Sequence, residues 1–551
     1  MKRIYLVLIA TIAITFVSCS DQEIDTVKPD AGQVAPIIDL PEGATQGRIL
    51  VKFKPEAASF LDAATTRSVG AALTRSGISD MDAVLQRIGT SKLERIFPVD
   101  NRTEERTRKA GLNLWYIIHF DKDTDLEQVA KDLSQVADVA KVQFTRAIQR
   151  SYDPNVRATV LTKQAMTRVV HTTRAVNTDA NDPFFNLQWG CKNDGSILQN
   201  GEKNDKGDNV VPAVMGVDVN CGEAWKLCTG NPSIVVAVLD EGVMYDHPDL
   251  EGNIWVNEDE TFASKEDADG NGYAGDRYGY NFTDDKGYIS YDDPNDTGHG
   301  THVAGIISAV RNNGEGISGI AGGDKANNRG GVKIMSCQVF SGSKGCDLYQ
   351  EAKAVKYAAD NGAVILQCSW GYNSGLSNPI SGYTPGFTSD KDWVDAAPLE
   401  KEAFDYFLHN AGSPNDVIDG GIIVFAAGNE YAAMAGYPGA YPDYISVAAL
   451  AADGTPSCYS NYAMGVSIAA PGGDSDYHQS SKGKIYSTLP PSANEDGGEN
   501  SHYGYMEGTS QACPHISGVA ALGLSYAAEL HRHFRADEFR KMISVSYTHL
   551  R

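Results

Sequence analysis

Three stretches of this chain set a reactive side chain at the edge of an apolar run, and they lie far apart in sequence. In IVVAVLDEGVMYDHPDL, Ile234 to Leu250, an apolar strand ends on Asp240 and a glycine turn follows. Open parallel sheets gather their ligands at the carboxyl ends of strands, which is where Asp240 falls. In GHGTHVAGIISAV, Gly298 to Val310, His299 precedes a helix whose Val303, Ala304, Ile306, Ile307 and Val310 supply an apolar side. In GTSQACPHISGVAALGL, Gly508 to Leu524, Ser510 stands at a helix start, with Ile516, Val519 and Ala520 turned to a core. Pro514 reads there as a first-turn proline, where a missing N–H is tolerated. A carboxylate, an imidazole and a hydroxyl are the groups from which a nucleophilic serine is made, because the hydroxyl attacks a carbonyl well only when a base removes its proton.

These segments, in the order Asp, His, Ser, resemble the subtilisin-like serine peptidases over roughly residues 182 to 545. The resemblance implies that Asp240 orients and supports His299, that His299 is general base and then acid, and that Ser510 is the nucleophile. Asn429, ending GIIVFAAGN, matches the side-chain amide that donates to the oxyanion, with the Ser510 backbone amide as second donor. Ser369, Trp370 and Gly371 match a segment that pairs with extended substrate and walls the primary specificity pocket. Ala426, Ala427 and Gly428 form the opposite wall, and Gly436 matches the small residue at the floor, which implies a large apolar residue before the scissile bond. Glu241 stands where the family usually has Ser or Thr, and a carboxylate there is expected to raise the His299 pKa. His247, His302 and His515 read as packing or hydrogen-bonding residues.

Calcium is implied at two places. Gln188, Asp249 and the loop from Asn313 through Glu315 to Ile317 resemble the family's strong site, where oxygens surround a hard cation. In DADGNGYAGD, Asp267, Asp269, Asn271 and Asp276 place oxygen ligands at largely alternating positions with glycines between. A polar turn is the plain alternative for the second.

The elements that must position these residues are of two kinds. After Asp182, continuous apolar runs such as Ile234 to Leu239, Ile334 to Val339, Val364 to Leu366 and Ile422 to Ala427 alternate with helical segments, the mark of a buried parallel sheet. Between Gly371 and Gly421 the chain is longer than in compact relatives, with a helix expected from Leu399 to His409, and this insertion is expected to cover the cleft. Residues 47–148 read instead as a small α+β unit of ferredoxin type: strand Ile49 to Phe53, helix Met81 to Ile88, strands Leu93 to Phe97 and Trp115 to Phe120, a helix opened by Thr124, and strand Val139 to Phe144. Residues 20–46 read as a linker and residues 149–181 as a cleavable linker carrying Arg157, Arg168 and Arg174. Residues 182–551 form the α/β domain, and the resemblance implies a further helix beyond Arg551. It also implies that residues 47–148 are a propeptide that assists folding, blocks the cleft and is removed by Ser510 within residues 145 to 185. Two alternatives are a subtilase fold that binds peptides without turnover, and an adhesion module at 47–150.

Composition bounds the partners. With 47 Lys and Arg against 71 Asp and Glu the formal charge is −24, which repels a phosphate backbone and argues against nucleic acid. Lys2 and Arg3, the apolar run Ile4 to Val17, then Ser18 and Cys19 form an export signal. Phe16 to Cys19 resembles a bacterial lipoprotein box, with Cys19 lipidated and Ser20 to Glu23 as tether, which implies a lipoprotein of the outer membrane or cell surface, or one released after processing. An ordinary secretory signal is the other reading. Export permits disulfides, and Cys221 with Cys228 or Cys337 with Cys346 are close enough in sequence to pair. Cys337, Cys368 and Cys513 read as buried thiols.

Overall fold

The computed structural model describes residues 34–67, 72–161, 179–413, 415–493 and 502–545. Its larger unit is built on an eight-stranded sheet in the order Lys344–Gly345, Lys333–Ser341, Val235–Glu241, Ala363–Cys368, Ile422–Ala426, Ile445–Leu450, Ile468–Pro471, with Gly279–Asn281 beside Lys333–Ser341. All pairings are parallel except that of Lys344–Gly345. The apolar runs follow from this, since both faces of each strand are covered. Val236 and Val238 point to a core shared with helices His299–Ser308 and Thr509–Glu529. Val235, Ala237 and Leu239 point to a second core under helices Leu348–Asp360 and Pro398–Asn410.

The N-terminal unit follows the expected order and adds a strand. Its sheet runs Ile37–Ile38, Val139–Gln143, Arg48–Phe53, Trp115–His119, Lys92–Arg95. Ile37–Ile38 pairs parallel with Val139–Gln143, and Ala35 lies in the same core, so the unit begins inside the stretch read as linker. The last helix, Leu126–Ser134, is capped by Asp125 rather than opened by Thr124: the Asp125 carboxylate accepts from the Gln128 amide at 3.1 Å. Ile49, Val51, Tyr116 and Ile118 pack under this unit's own helices. Leu50, Trp115 and Ile117, on the opposite face, join Phe97 and Leu112 in the larger unit's second core.

That shared core confirms the helix but takes it, within the Gly371–Gly421 insertion, away from the cleft. Pro398–Asn410 lies beneath the N-terminal sheet, where its Glu402 accepts from Lys52 and from the Trp115 indole, each at 2.7 Å. Only the stretch before it reaches the cleft, through Asn373 and Tyr383. The cysteine pairs are corrected as well. All eight cysteines from Cys191 to Cys513 are free thiols, and Cys221 faces Cys191, not Cys228. Cys19 with the whole export signal, and Arg168 and Arg174, lie outside the described residues. No helix of the described residues is long and apolar enough to cross a membrane.

Candidate active site

The sheet brings Asp240 to the carboxyl end of Val235–Glu241, and the His299–Ser308 helix starts directly opposite. His299 Nδ1 lies 2.8 and 2.9 Å from the two Asp240 oxygens, and both residues are buried. With Nδ1–H donated to the carboxylate, Nε2 keeps its lone pair, the tautomer a general base needs. Among the described residues Nε2 has no hydrogen-bond partner. The Ser510 hydroxyl instead donates to the Ser369 carbonyl at 3.2 Å.

Ser510 is the second residue of Thr509–Glu529, and Pro514 lies a full turn later, not in the first turn. A proline there cannot donate to the carbonyl four residues back. The carbonyl so released is that of Ser510, and the Ser369 hydroxyl donates to it at 2.8 Å. Gln367 in turn donates to the Ser369 hydroxyl at 2.8 Å. The helix break and this polar chain together hold the Ser510 backbone in place, a coupling that local sequence does not reveal.

Segment 149–161, read as an unstructured linker, runs through the site. It enters as an added strand: Ala147 bridges Asp347 antiparallel, and the Ile148 amide donates to the Cys346 carbonyl at 2.8 Å. Asn429 Nδ2 then donates to the Ser151 carbonyl at 2.9 Å. The other end of that amide is fixed, because Asn429 Oδ1 accepts from both the Thr509 amide and hydroxyl at 2.9 Å. Ser151 Oγ donates to the Ser369 carbonyl at 3.0 Å and lies 3.5 Å from Ser510 Oγ. The Tyr152 ring stacks on His299 with centroids 3.9 Å apart. Beyond it, Thr159 pairs with Tyr505 at 3.0 and 2.8 Å. The expected second donor, the Ser510 amide, makes no hydrogen bond to Ser151 among the described residues. Nothing local in the sequence marks Ser151 or Tyr152, and Thr509, though inside the GTS motif, gives no sign there that it fixes Asn429.

The expected pocket residues divide. Ser369 meets the threaded segment, but the Trp370 side chain is in the core, edge-on to Phe425 at 5.5 Å. Gly371 backs onto the Tyr437 carbonyl, 3.1 Å from where a Cβ would lie. Ala426, Ala427 and Gly428 follow their strand into the site, where the Gly428 amide donates to the Thr509 hydroxyl at 3.2 Å and a Cβ would come within 2.4 Å of Asn461 Nδ2 and 2.7 Å of Glu430. Gly436 is pressed against the Tyr372 carbonyl, which a Cβ would approach to 2.1 Å, so glycine is needed there for contact between backbones. The residue presented next to these walls is Ser151, not a large apolar side chain. The remaining cavity, about 540 Å³, runs past Tyr152, His299, Asn429, Glu430 and Gly508.

Glu241 does not face the His299 ring. Its carboxylate accepts from the Thr297 and His299 amides at 3.0 Å each, at the start of the helix, where negative charge is favourable. It also accepts from Tyr152 OH at 3.0 Å. The other histidines are structural, as expected: burial lowers His247 and His515 to about 4 and His302 to about 3, and each is held against a backbone carbonyl.

The first calcium set is together. Asp249 is buried, accepts from Asn313 Nδ2 at 2.7 Å and from the Ile317 amide at 2.9 Å, and burial pushes it up to about 8. Gln188 exchanges hydrogen bonds with Ser318 at 2.9 and 2.8 Å, whereas Glu315 is exposed. Asp249 and Gln188 offer buried side-chain oxygens of the kind a hard cation takes, and in this structure those oxygens accept from the Asn313, Ile317 and Ser318 N–H groups. The second set is rearranged. Asp276 turns inward to Tyr357 OH at 2.7 Å, and Asn271 presents its amide N–H to Asp269 and Asp276. The carboxylates that converge are Glu260, Asp267 and Asp269, with oxygens within 4.8 Å of one another. Glu260 lies outside the DADGNGYAGD motif and was not foreseen. Three such oxygens also fit a divalent ion.

A parallel sheet with helices on both faces, preceded by an α+β unit whose last strand leads into the cleft, is the subtilisin-like architecture. The chain belongs to the Subtilase family: residues 231–546 match it, and residues 49–195 match the N-terminal segment of that family. Halolysin of Haloferax mediterranei is 30% identical over 323 residues, 58% of this chain and 47% of that protein. Thermitase of Thermoactinomyces vulgaris is 29% identical over 307 residues, 55% of this chain and 79% of that protein. The chain spans about half the length of the first curated relatives it matches, at 47% and 54%. The crystal structure of fervidolysin from Fervidobacterium pennivorans superposes with TM-score 0.50 at 23% identity, covering 89% of this chain and 56% of that one.

Proposed function

We propose that the chain is a serine endopeptidase made as a zymogen, and that its own Ser151–Tyr152 bond is the first one cut. The observation that carries this is the Ser151 carbonyl on Asn429 Nδ2 at 2.9 Å, beside the Asp240–His299 pair and Ser510. In this reading Ser510 exchanges its Ser369 acceptor for His299 Nε2, attacks the Ser151 carbonyl carbon, and passes its proton to the imidazole. Asn429 receives the oxyanion, His299⁺ returns the proton to the Tyr152 amine, and water hydrolyses the acyl-enzyme by the same steps. The chain up to Ser151 would then depart as the propeptide.

The full chain should yield a new N-terminus at Tyr152, and Ser510→Ala should remain intact. A wild-type chain that stays whole, and whose Ser510 is untouched by a fluorophosphonate probe, would favour a peptide-binding subtilase fold without turnover. We also propose that Cys19 is lipidated and holds the exported precursor at a membrane surface, to be tested by loss of lipid labelling in Cys19→Ala. Gln188 and Asp249, and separately Glu260, Asp267 and Asp269, would hold structural calcium, so EGTA should lower Tm.

A further inference from the structure

Arg150 precedes Ser151, and its side chain is only 9% exposed although it carries a full charge. Its Nη2 donates to the Gly342 carbonyl at 2.7 Å and lies 3.5 Å from Glu241 and 3.6 Å from Asp296. The guanidinium also lies over the Phe340 ring at 5.2 Å and the Tyr152 ring at 5.8 Å. The pocket is part of the catalytic unit's fixed frame. Glu241 follows Asp240 in its strand, and Asp296 precedes the His299 helix and accepts from the Gly342 amide at 2.6 Å. Gly342 has φ +56°, and a Cβ there would come within 2.8 Å of Asp293, so a glycine lets this backbone approach the carboxylates.

Two carboxylates, 1% and 2% exposed, cannot both be charged cheaply without a cation between them. Burial, and then the charge of Glu241, push Asp296 up to about 8 even with Arg150 in place. Asp293 adds further negative charge, and the Asp296 Oδ2 atom is buried with no hydrogen-bond partner. Cleavage after Ser151 takes the Arg150 guanidinium away and leaves this pair of carboxylates open to another cation.

We propose that Glu241 and Asp296 form a cation-selective subsite, so that the mature enzyme prefers polypeptides with arginine as the second residue before the scissile bond. Lysine ranks below arginine, because a compact ammonium cannot reach both carboxylates and lie flat over Phe340 at once. This deepens the endopeptidase reading and rests on it.

The test uses the full chain matured in its own expression host and four fluorogenic peptides that differ only at that position: Arg, Lys, Ala or Glu. Arginine should exceed alanine in kcat/KM by at least about 30-fold, the loss expected when one partner of a buried charge pair is missing. Lysine should fall between, and glutamate should be the poorest. Asp296→Asn should shrink the arginine-to-alanine ratio at least severalfold, and because the readout is a ratio a general loss of activity does not mimic it. Equal rates for arginine and alanine, with Ser510 labelled by a fluorophosphonate, would overturn the subsite and leave the endopeptidase standing. No cleavage of any peptide together with an unlabelled Ser510 would overturn both.

Discussion

At the scale of single residues, the site depends on side chains held by others. Asn429 can point its N–H2 at the Ser151 carbonyl because Thr509 occupies its oxygen twice at 2.9 Å. Asn429→Ala should therefore lower kcat by about 10²- to 10³-fold with little change in KM, the magnitude known for the corresponding amide of subtilisin itself. Thr509→Val keeps the backbone donor and loses one hydroxyl, so its effect on kcat should be much smaller; a loss as large as that of Asn429→Ala would place Thr509 in a different role. Asp240, His299 and Ser510 could be found in the sequence because each sits in its own local pattern, a strand end, a helix start, a helix start. Arg150, Ser151, Tyr152 and Asp296 could not, since their significance arises only where a connecting segment crosses the cleft. Glu241 stands out in the sequence as a departure from the family, but its partners, two amides, a hydroxyl, a phenol and the Arg150 guanidinium, do not.

At the scale of elements, the strands were legible and the helix contacts less so. Continuous apolar runs forced the central strands into the sheet interior, whereas Ile37–Ile38 is too short to carry any periodicity and Pro514 reads as harmless until Ser369 is seen to complete its broken turn. Helices Leu348–Asp360 and Pro398–Asn410 meet through an unexpected pair of fully buried carboxyls, Glu351 and Glu400. The Trp393 indole donates to Glu400 at 2.6 Å. Burial raises both pKa values, Glu400 to about 7 and Glu351 well above its ordinary value, with the Glu400 charge adding to the rise at Glu351. A carboxyl with a raised folded pKa favours the native state while it is protonated. The stability it contributes is complete below about pH 4.5, its unfolded value, and is lost as pH rises through about 7. Tm of the uncut Ser510→Ala chain should fall across that interval. Glu351→Gln should flatten the fall and raise Tm by about 1 °C or more at pH 8, because about 1 kcal/mol moves a 150–250-residue domain by 2–4 °C and a larger unit by less.

At the scale of the whole molecule, two units share one core and oppose their charges across it. The chain is strongly acidic at −24, yet the N-terminal unit supplies the cations of its ion pairs with the larger unit. Arg48 lies 2.8 Å from Asp347, Lys52 2.7 Å from Glu402, Arg106 2.9 Å from Asp360 and Arg102 3.4 Å from Asp269. Between these pairs lie Leu50, Trp115 and Ile117, whose burial does not depend on salt. An adhesion module would have no reason to place Ser151 on Asn429 and its cations on the carboxylates of this one partner, whereas an inhibitor would. Residues 34–151, added in trans, should therefore inhibit the mature enzyme. The inhibition constant should weaken by roughly tenfold between 50 mM and 1 M salt, as screening shortens from above 10 Å to about 3 Å, without inhibition being lost. Glu402→Gln in the enzyme should reproduce part of that weakening at low salt and reduce the remaining salt dependence, because it removes a carboxylate held by Lys52 and by the Trp115 indole together. Inhibition that is abolished at 1 M salt would mean the apolar face contributes little, and inhibition absent at every salt concentration would return the N-terminal unit to the adhesion reading.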